Sequence, residues 1–138
     1  MSVIHIKSAR EYNKLKEKGL VVVDFNAEWC GPCKRFAPVY EKMASKYPGV
    51  KFLSVDAEKI EHDDCLEIKS LPTFKILLNG ELRRQFEGVD QERIERYIER
   101  YSVQIFINGE LTRKFTPEII DTVTRYLKMF AYSEEDEN

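Results

Sequence analysis

Trp29-Cys30-Gly31-Pro32-Cys33 places two thiols with two residues between them. At the start of a helix this spacing brings the two Cβ atoms to roughly 3.5–4.5 Å, the separation a disulfide requires, so the pair can close and reopen. Proline is tolerated in the first helical turn because its missing N–H would have been an orphan donor. The chemistry on offer is reversible dithiol–disulfide exchange. Zinc binding also uses Cys-x-x-Cys, but it needs a second ligand pair. His5 and His62 are separated single histidines, so no metal site is expected. Cys65 lies on a polar segment and reads as a spare, semi-buried thiol, with regulatory oxidation or a disulfide between chains as alternatives.

The segments around the pair alternate strand and helix. Val3 to Ile6 reads as a short strand, and Ser8-Ala9-Arg10-Glu11 has the Ser-x-x-Glu spacing of a capping box opening a helix that ends at Gly19. Leu20 to Phe25 is a nearly unbroken apolar run, which suits a strand covered on both faces at the centre of an α/β sheet. Asp24 interrupts it. A carboxylate there is costly unless neutralised or hydrogen-bonded, which singles Asp24 out; the alternative is an Asp facing outward near a strand end. After Cys33 the pattern is helical, with Phe36, Val39, Tyr40, Met43 and Tyr47 on one side, a kink expected at Pro38 and a stop at Pro48-Gly49. Val50 to Val55 reads as a strand, Glu58 to Ile68 as a short polar helix and Thr73 to Leu78 as a strand. Asn79-Gly80 is a strong hairpin signal leading into an antiparallel strand, Glu81 to Phe86. Ile94, Tyr97, Ile98 and Tyr101 form an i, i+3, i+4, i+7 stripe on a closing helix.

The last 37 residues carry an internal repeat: Ile76 to Glu99 aligned without gaps on Ile105 to Lys128 gives nine identities in 24 positions. The second copy has its own Asn108-Gly109 turn signal, a Thr116-Pro117 helix start and a stripe of Ile119, Ile120, Val123, Leu127 and Phe130. The organisation expected is a domain over 1–101, an extension over 102–131 duplicating the hairpin and helix, and an acidic disordered tail over 132–138. A lone hairpin with one helix is not stable by itself. The extension should therefore dock on its own chain, leaving a monomer, or replace the matching unit of a second copy in a swapped dimer.

At 138 residues the chain is long enough to bury a real core without a disulfide scaffold. A net charge of −2 gives no basic footprint, so nucleic acid is not an expected partner. The N-terminus lacks the apolar run of a signal peptide and no stretch approaches a membrane span, so a cytoplasmic location is the default expectation and no membrane partner is implied.

Over Val3 to about Tyr101 the chain resembles the thioredoxin family. Asp24 to Lys34 is similar to the family's active-site segment, Pro38 to its helix-kinking proline, Leu71-Pro72-Thr73 to its cis-proline segment, and Gly88 to the glycine after its last strand. Asn26 departs from the pattern, since many bacterial members have Trp there, and so does the extension from Ser102 onward. The resemblance implies a thioredoxin fold, a three-layer α/β/α arrangement with a central mixed sheet, here followed by the C-terminal β-hairpin and helix repeat. It implies a protein disulfide reductase with no bound cofactor, taking electrons from a thioredoxin reductase. The alternative is a redox-sensitive binding or regulatory module whose extension contacts a partner or a second copy.

Residue by residue, the resemblance and the helix start together suggest Cys30 as nucleophile, because the first cysteine meets the unpaired N–H groups and positive dipole end of the helix. Cys33, a turn further in, is expected to be the more buried, resolving thiol, with Asp24 as its proton acceptor. The thioredoxin value for the attacking thiol, about 7 against about 8.5 for a free cysteine, raises the thiolate fraction at pH 7 about 16-fold. A Brønsted coefficient near 0.5 takes back about 6-fold, leaving about threefold. Activation is therefore the smaller effect, and intramolecular attack by Cys33 at high effective concentration is the larger. Leu71 and a cis Pro72 would offer backbone to an extended substrate segment, with Gly31, Pro32 and Gly88 keeping the approach flat. Trp29 would supply an apolar rim, the alternative being core packing; Lys34 reads as a solvated helix residue whose charge lies near the thiolate.

Overall fold

The computed structural model describes residues 2–114, 116–119, 121–122 and 125. The element order is β1 (Ile4–His5), α1 (Ala9–Lys16), β2 (Leu20–Asn26), α2 (Gly31–Lys46), β3 (Lys51–Asp56), α3 (Asp63–Leu66), β4 (Thr73–Leu78), β5 (Glu81–Glu87) and α4 (Gln91–Lys114). Among the described residues five strands form one mixed sheet in the order β1-β3-β2-β4-β5, parallel from β1 through β2 and antiparallel from β2 through β5. By contact the chain divides into two compact units, Met1–Ile98 and Glu99–Asn138.

In the first unit β2 is central, and Leu20 through Phe25 are all buried, as an unbroken apolar run requires. Alternation splits the strand between two layers. Val21, Val23 and Phe25 join Leu53, Val55 and Leu77 in a core closed by Tyr12 of α1 and Cys65 of α3. On the other face Phe36 and Tyr40 of α2 pack edge-on against Phe74 and Phe52, and Phe74 leads through Phe86 to Tyr97 of α4. Ser8 caps α1 by accepting the Glu11 N–H, while the Glu11 carboxylate turns back to the Lys7 N–H. Asn79 and Gly80 both have positive φ, 51° and 85°, as a two-residue hairpin of the primed type demands.

Two expectations are corrected. The polar helix read over 58–68 shortens to Asp63–Leu66, because Asp56 Oδ1 accepts the N–H groups of Glu58 and Lys59 and makes a turn of them. The hairpin expected at Asn108-Gly109 does not form: α4 runs through it to Lys114. No proline or glycine breaks the chain between Gln91 and Asn108, and extending an existing helix needs no new nucleus. One interior glycine costs only about 1 kcal/mol against that. The Thr116-Pro117 start is present locally, with residues 117–119 helical and the Ile119 N–H donating to Thr116 Oγ1 at 3.4 Å. Ile120, Val123, Leu127, Phe130 and the acidic tail lie outside the described residues.

Candidate active site

Strand register gathers the expected residues at one end of the sheet. Phe25 is opposite Thr73 and Thr73 opposite Glu87, so the loop after β2, the Leu71-Pro72 segment before β4 and Gly88 after β5 all leave from the same end. The Leu71–Pro72 bond is cis, and the Pro72 carbonyl accepts the Gly88 N–H at 2.9 Å. Gly88 has φ +88°, and a Cβ added there would meet none of the described residues within 4 Å. Gly88→Ala should therefore cost about 1–2 kcal/mol through backbone strain alone, read by denaturant unfolding. A cost above about 3 kcal/mol would show that more than the backbone conformation is lost.

Cys30 is the N-cap of α2 and is disulfide-bonded to Cys33 across a Cα separation of 5.3 Å, inside the usual range. The Cys33 N–H points at Cys30 Sγ at 3.3 Å, one of the donors a helix start offers to negative charge. Pro32 occupies the first turn, and α2 continues through Pro38, which donates no N–H to the helix. Cys33 is not the more buried of the pair: the two residues are 3% and 6% exposed, because in the disulfide each sulfur covers the other. Trp29 is 66% exposed and its Nε1–H donates to Glu58 Oε1 at 2.7 Å, so it is a rim residue and not core. Glu28 beside it pairs with Lys59, which lowers the Glu28 pKa. Lys34 is exposed on α2. Val89, 46% exposed, shares a shallow hollow with Pro32, Arg35 and Phe36; nothing in its type or spacing marked it in advance.

Asp24 is buried behind the disulfide. It lines, with Cys33, Lys34 and Tyr40, a cavity of about 350 Å³ whose wall includes Asn26 and Ser54. Among the described residues Asp24 Oδ1 has no hydrogen-bond partner. Burial pushes its carboxyl up to about 7, against a smaller downward pull from the Asn26 amide. A carboxyl balanced there can both accept and return a proton near neutral pH. Burial and the Asp24 charge hold the Tyr40 hydroxyl well above its ordinary pKa, and that hydroxyl lies 2.8 Å from the Leu53 carbonyl. Cys65 is buried on α3, where desolvation and the Asp64 carboxylate raise its pKa and disfavour the thiolate. His62 Nδ1 accepts the Asp64 N–H at 2.9 Å, so it caps α3. Among the described residues no group of three His, Cys, Asp or Glu side chains is placed to hold a metal, and no helix is long and apolar enough to cross a membrane.

Comparison with known proteins agrees with this geometry. The thioredoxin family model matches residues 3–100. Thioredoxin-3 of Dictyostelium discoideum is 39% identical over 98 residues, covering 70% of this chain and 94% of its own. Mouse thioredoxin is 41% identical over 85 residues, 60% of this chain and 80% of its own. Among solved structures, Plasmodium falciparum thioredoxin superimposes with a TM-score of 0.65 at 37% identity, covering 71% of this chain and 98% of that one. Schistosoma mansoni thioredoxin does so with a TM-score of 0.66 at 34% identity, covering 72% and 95%. A disulfide at a helix start, a cis proline on the neighbouring loop and a buried carboxyl behind them accompany this similarity, and the chain belongs to the thioredoxin family of thiol–disulfide oxidoreductases.

Proposed function

We propose that the chain reduces protein disulfides in two exchanges. Cys30 thiolate attacks one sulfur of the substrate, the substrate S–S bond breaks, and one substrate thiolate leaves. Asp24 takes the proton of Cys33, directly or through water in the shared cavity, and the new thiolate attacks Cys30 Sγ. The second substrate thiolate leaves and the Cys30–Cys33 disulfide remains, two electrons having passed to the substrate. The observation that carries this reading is that disulfide at the first turn of α2, with Asp24 and Cys33 on one cavity.

Trp29, Pro32 and Val89 supply an apolar contact surface, and Gly31 and Gly88 leave room beside it. Leu71 and Pro72 present backbone to an extended segment of the substrate. Lys34 adds positive charge to the mouth of the cavity. A thioredoxin reductase returns the electrons, the setting is the cytoplasm, and no bound cofactor takes part. Turnover of insulin disulfides, driven by dithiothreitol or by a reductase, tests the proposal. Wild type should reduce insulin and Cys30→Ser should not, while still binding its partners. A wild-type protein that binds but never turns over would instead be a redox-sensitive binding module.

A further inference from the structure

The polar group around Asp24 extends across three strands. Asp24, Ser54 and His5 stand in register on β2, β3 and β1, so their side chains share one face of the sheet. Asn26 is two residues beyond Asp24 and lies on that face as well. All four line the cavity that contains Cys33. The Asn26 amide donates to Ser54 Oγ at 2.8 Å and to the Asp24 main-chain carbonyl at 3.3 Å, which fixes it beside a carboxyl whose Oδ1 is buried and has no partner among the described residues.

We propose that Asn26, anchored by Ser54, is a positioning residue that sets the proton affinity of Asp24 by holding its amide nitrogen, the positive end of the side-chain dipole, in the cavity wall beside the carboxyl. Burial alone would protonate the carboxyl through the neutral range, and the Asn26 amide opposes that. Other charged and titratable groups also face the cavity. His5 comes from β1, Asp56 from β3 and Glu28 from the loop before α2, while α2 itself contributes Lys34, Tyr40 and Glu41. β4 adds none opposite Asp24, where Phe74 stands. Of the polar side chains on this face, Asn26 is the neutral donor on Asp24's own strand, so it acts by position and needs no titration of its own.

The inference deepens the reading of Asp24 as the proton acceptor, and its test separates the two. The Asp24 carboxyl carbon is titrated by NMR in the labelled, oxidised protein, where neither Cys30 nor Cys33 ionises, and the rate of mixed-disulfide resolution is measured across the same pH range. Asn26→Leu should raise the Asp24 midpoint by about one pH unit. Ser54→Ala, which frees the amide, should raise it less, and Asn26→Ser, which restores a donor, should return it toward wild type. An unchanged midpoint in folded Asn26→Leu and Ser54→Ala would overturn the proposal. A midpoint that moves without moving the rate profile would uphold Asn26 as the residue setting Asp24 and remove Asp24 as the base.

Discussion

Cys33→Ser should form the mixed disulfide at close to the wild-type rate and then hold it. The first exchange uses Cys30 at the helix start, and serine keeps the backbone N–H that points at Cys30 Sγ. What disappears is the internal attack. Well-oriented intramolecular reactions reach effective molarities of about 10⁵ M, so release by about 1 mM external thiol should be slower by as much as about 10⁸-fold. Cys30→Ser should differ in kind, because it leaves no thiol at the N-cap of α2 and traps nothing. Intact mass of the complex with a disulfide-containing protein, taken over time, distinguishes the two variants. Release from Cys33→Ser at the wild-type rate would mean that resolution comes from outside the chain, and the weight placed on Cys33 geometry over Cys30 acidity would be misplaced.

The residues that carry covalent chemistry were legible because their signals are local. Cys30 and Cys33 need only their spacing, Asp24 stands out in an apolar strand, and Asn79-Gly80 supplies the two positive φ angles its turn requires. The same dipeptide at Asn108-Gly109 shows the limit of local reading. A turn signal makes a hairpin only when the flanking strands find partners. The first copy has β2 waiting beside β4, whereas the second follows a helix that simply continues. Residues assembled by register were not legible either. Ser54 and His5 join Asp24 only because β3 pairs in parallel with both β2 and β1, each at one particular offset. Lys75 reads as an ordinary strand residue, yet it is 3% exposed and paired with Glu67, a contact that depends on where α3 ends.

Asp24→Asn should make the oxidised protein more stable, and increasingly so as pH rises. The Asp24 carboxyl is raised by burial from 3.8 to about 7 in the folded chain, so between these values the native state binds a proton that the unfolded state has released. The stability contributed by the protonated form is fully present below pH 4, is lost progressively up to about pH 7 and is flat above that. At about 1.36 kcal/mol per pH unit, the ionisable side chain costs roughly 4 kcal/mol at pH 8 and roughly 2 kcal/mol at pH 5. Asparagine has no such cost, and the advantage of the variant over wild type should grow by roughly 2–3 kcal/mol from pH 5 to pH 8. Guanidinium unfolding of both proteins at the two pH values measures it. An advantage that does not change with pH would place the Asp24 carboxyl at an ordinary acidity. The same substitution should slow resolution of the mixed disulfide more than its formation, since Asp24 shares its cavity with Cys33. Loss of rate with gain of stability, at one residue and over one pH range, is the pattern expected of a buried carboxyl retained for its proton and not for the fold.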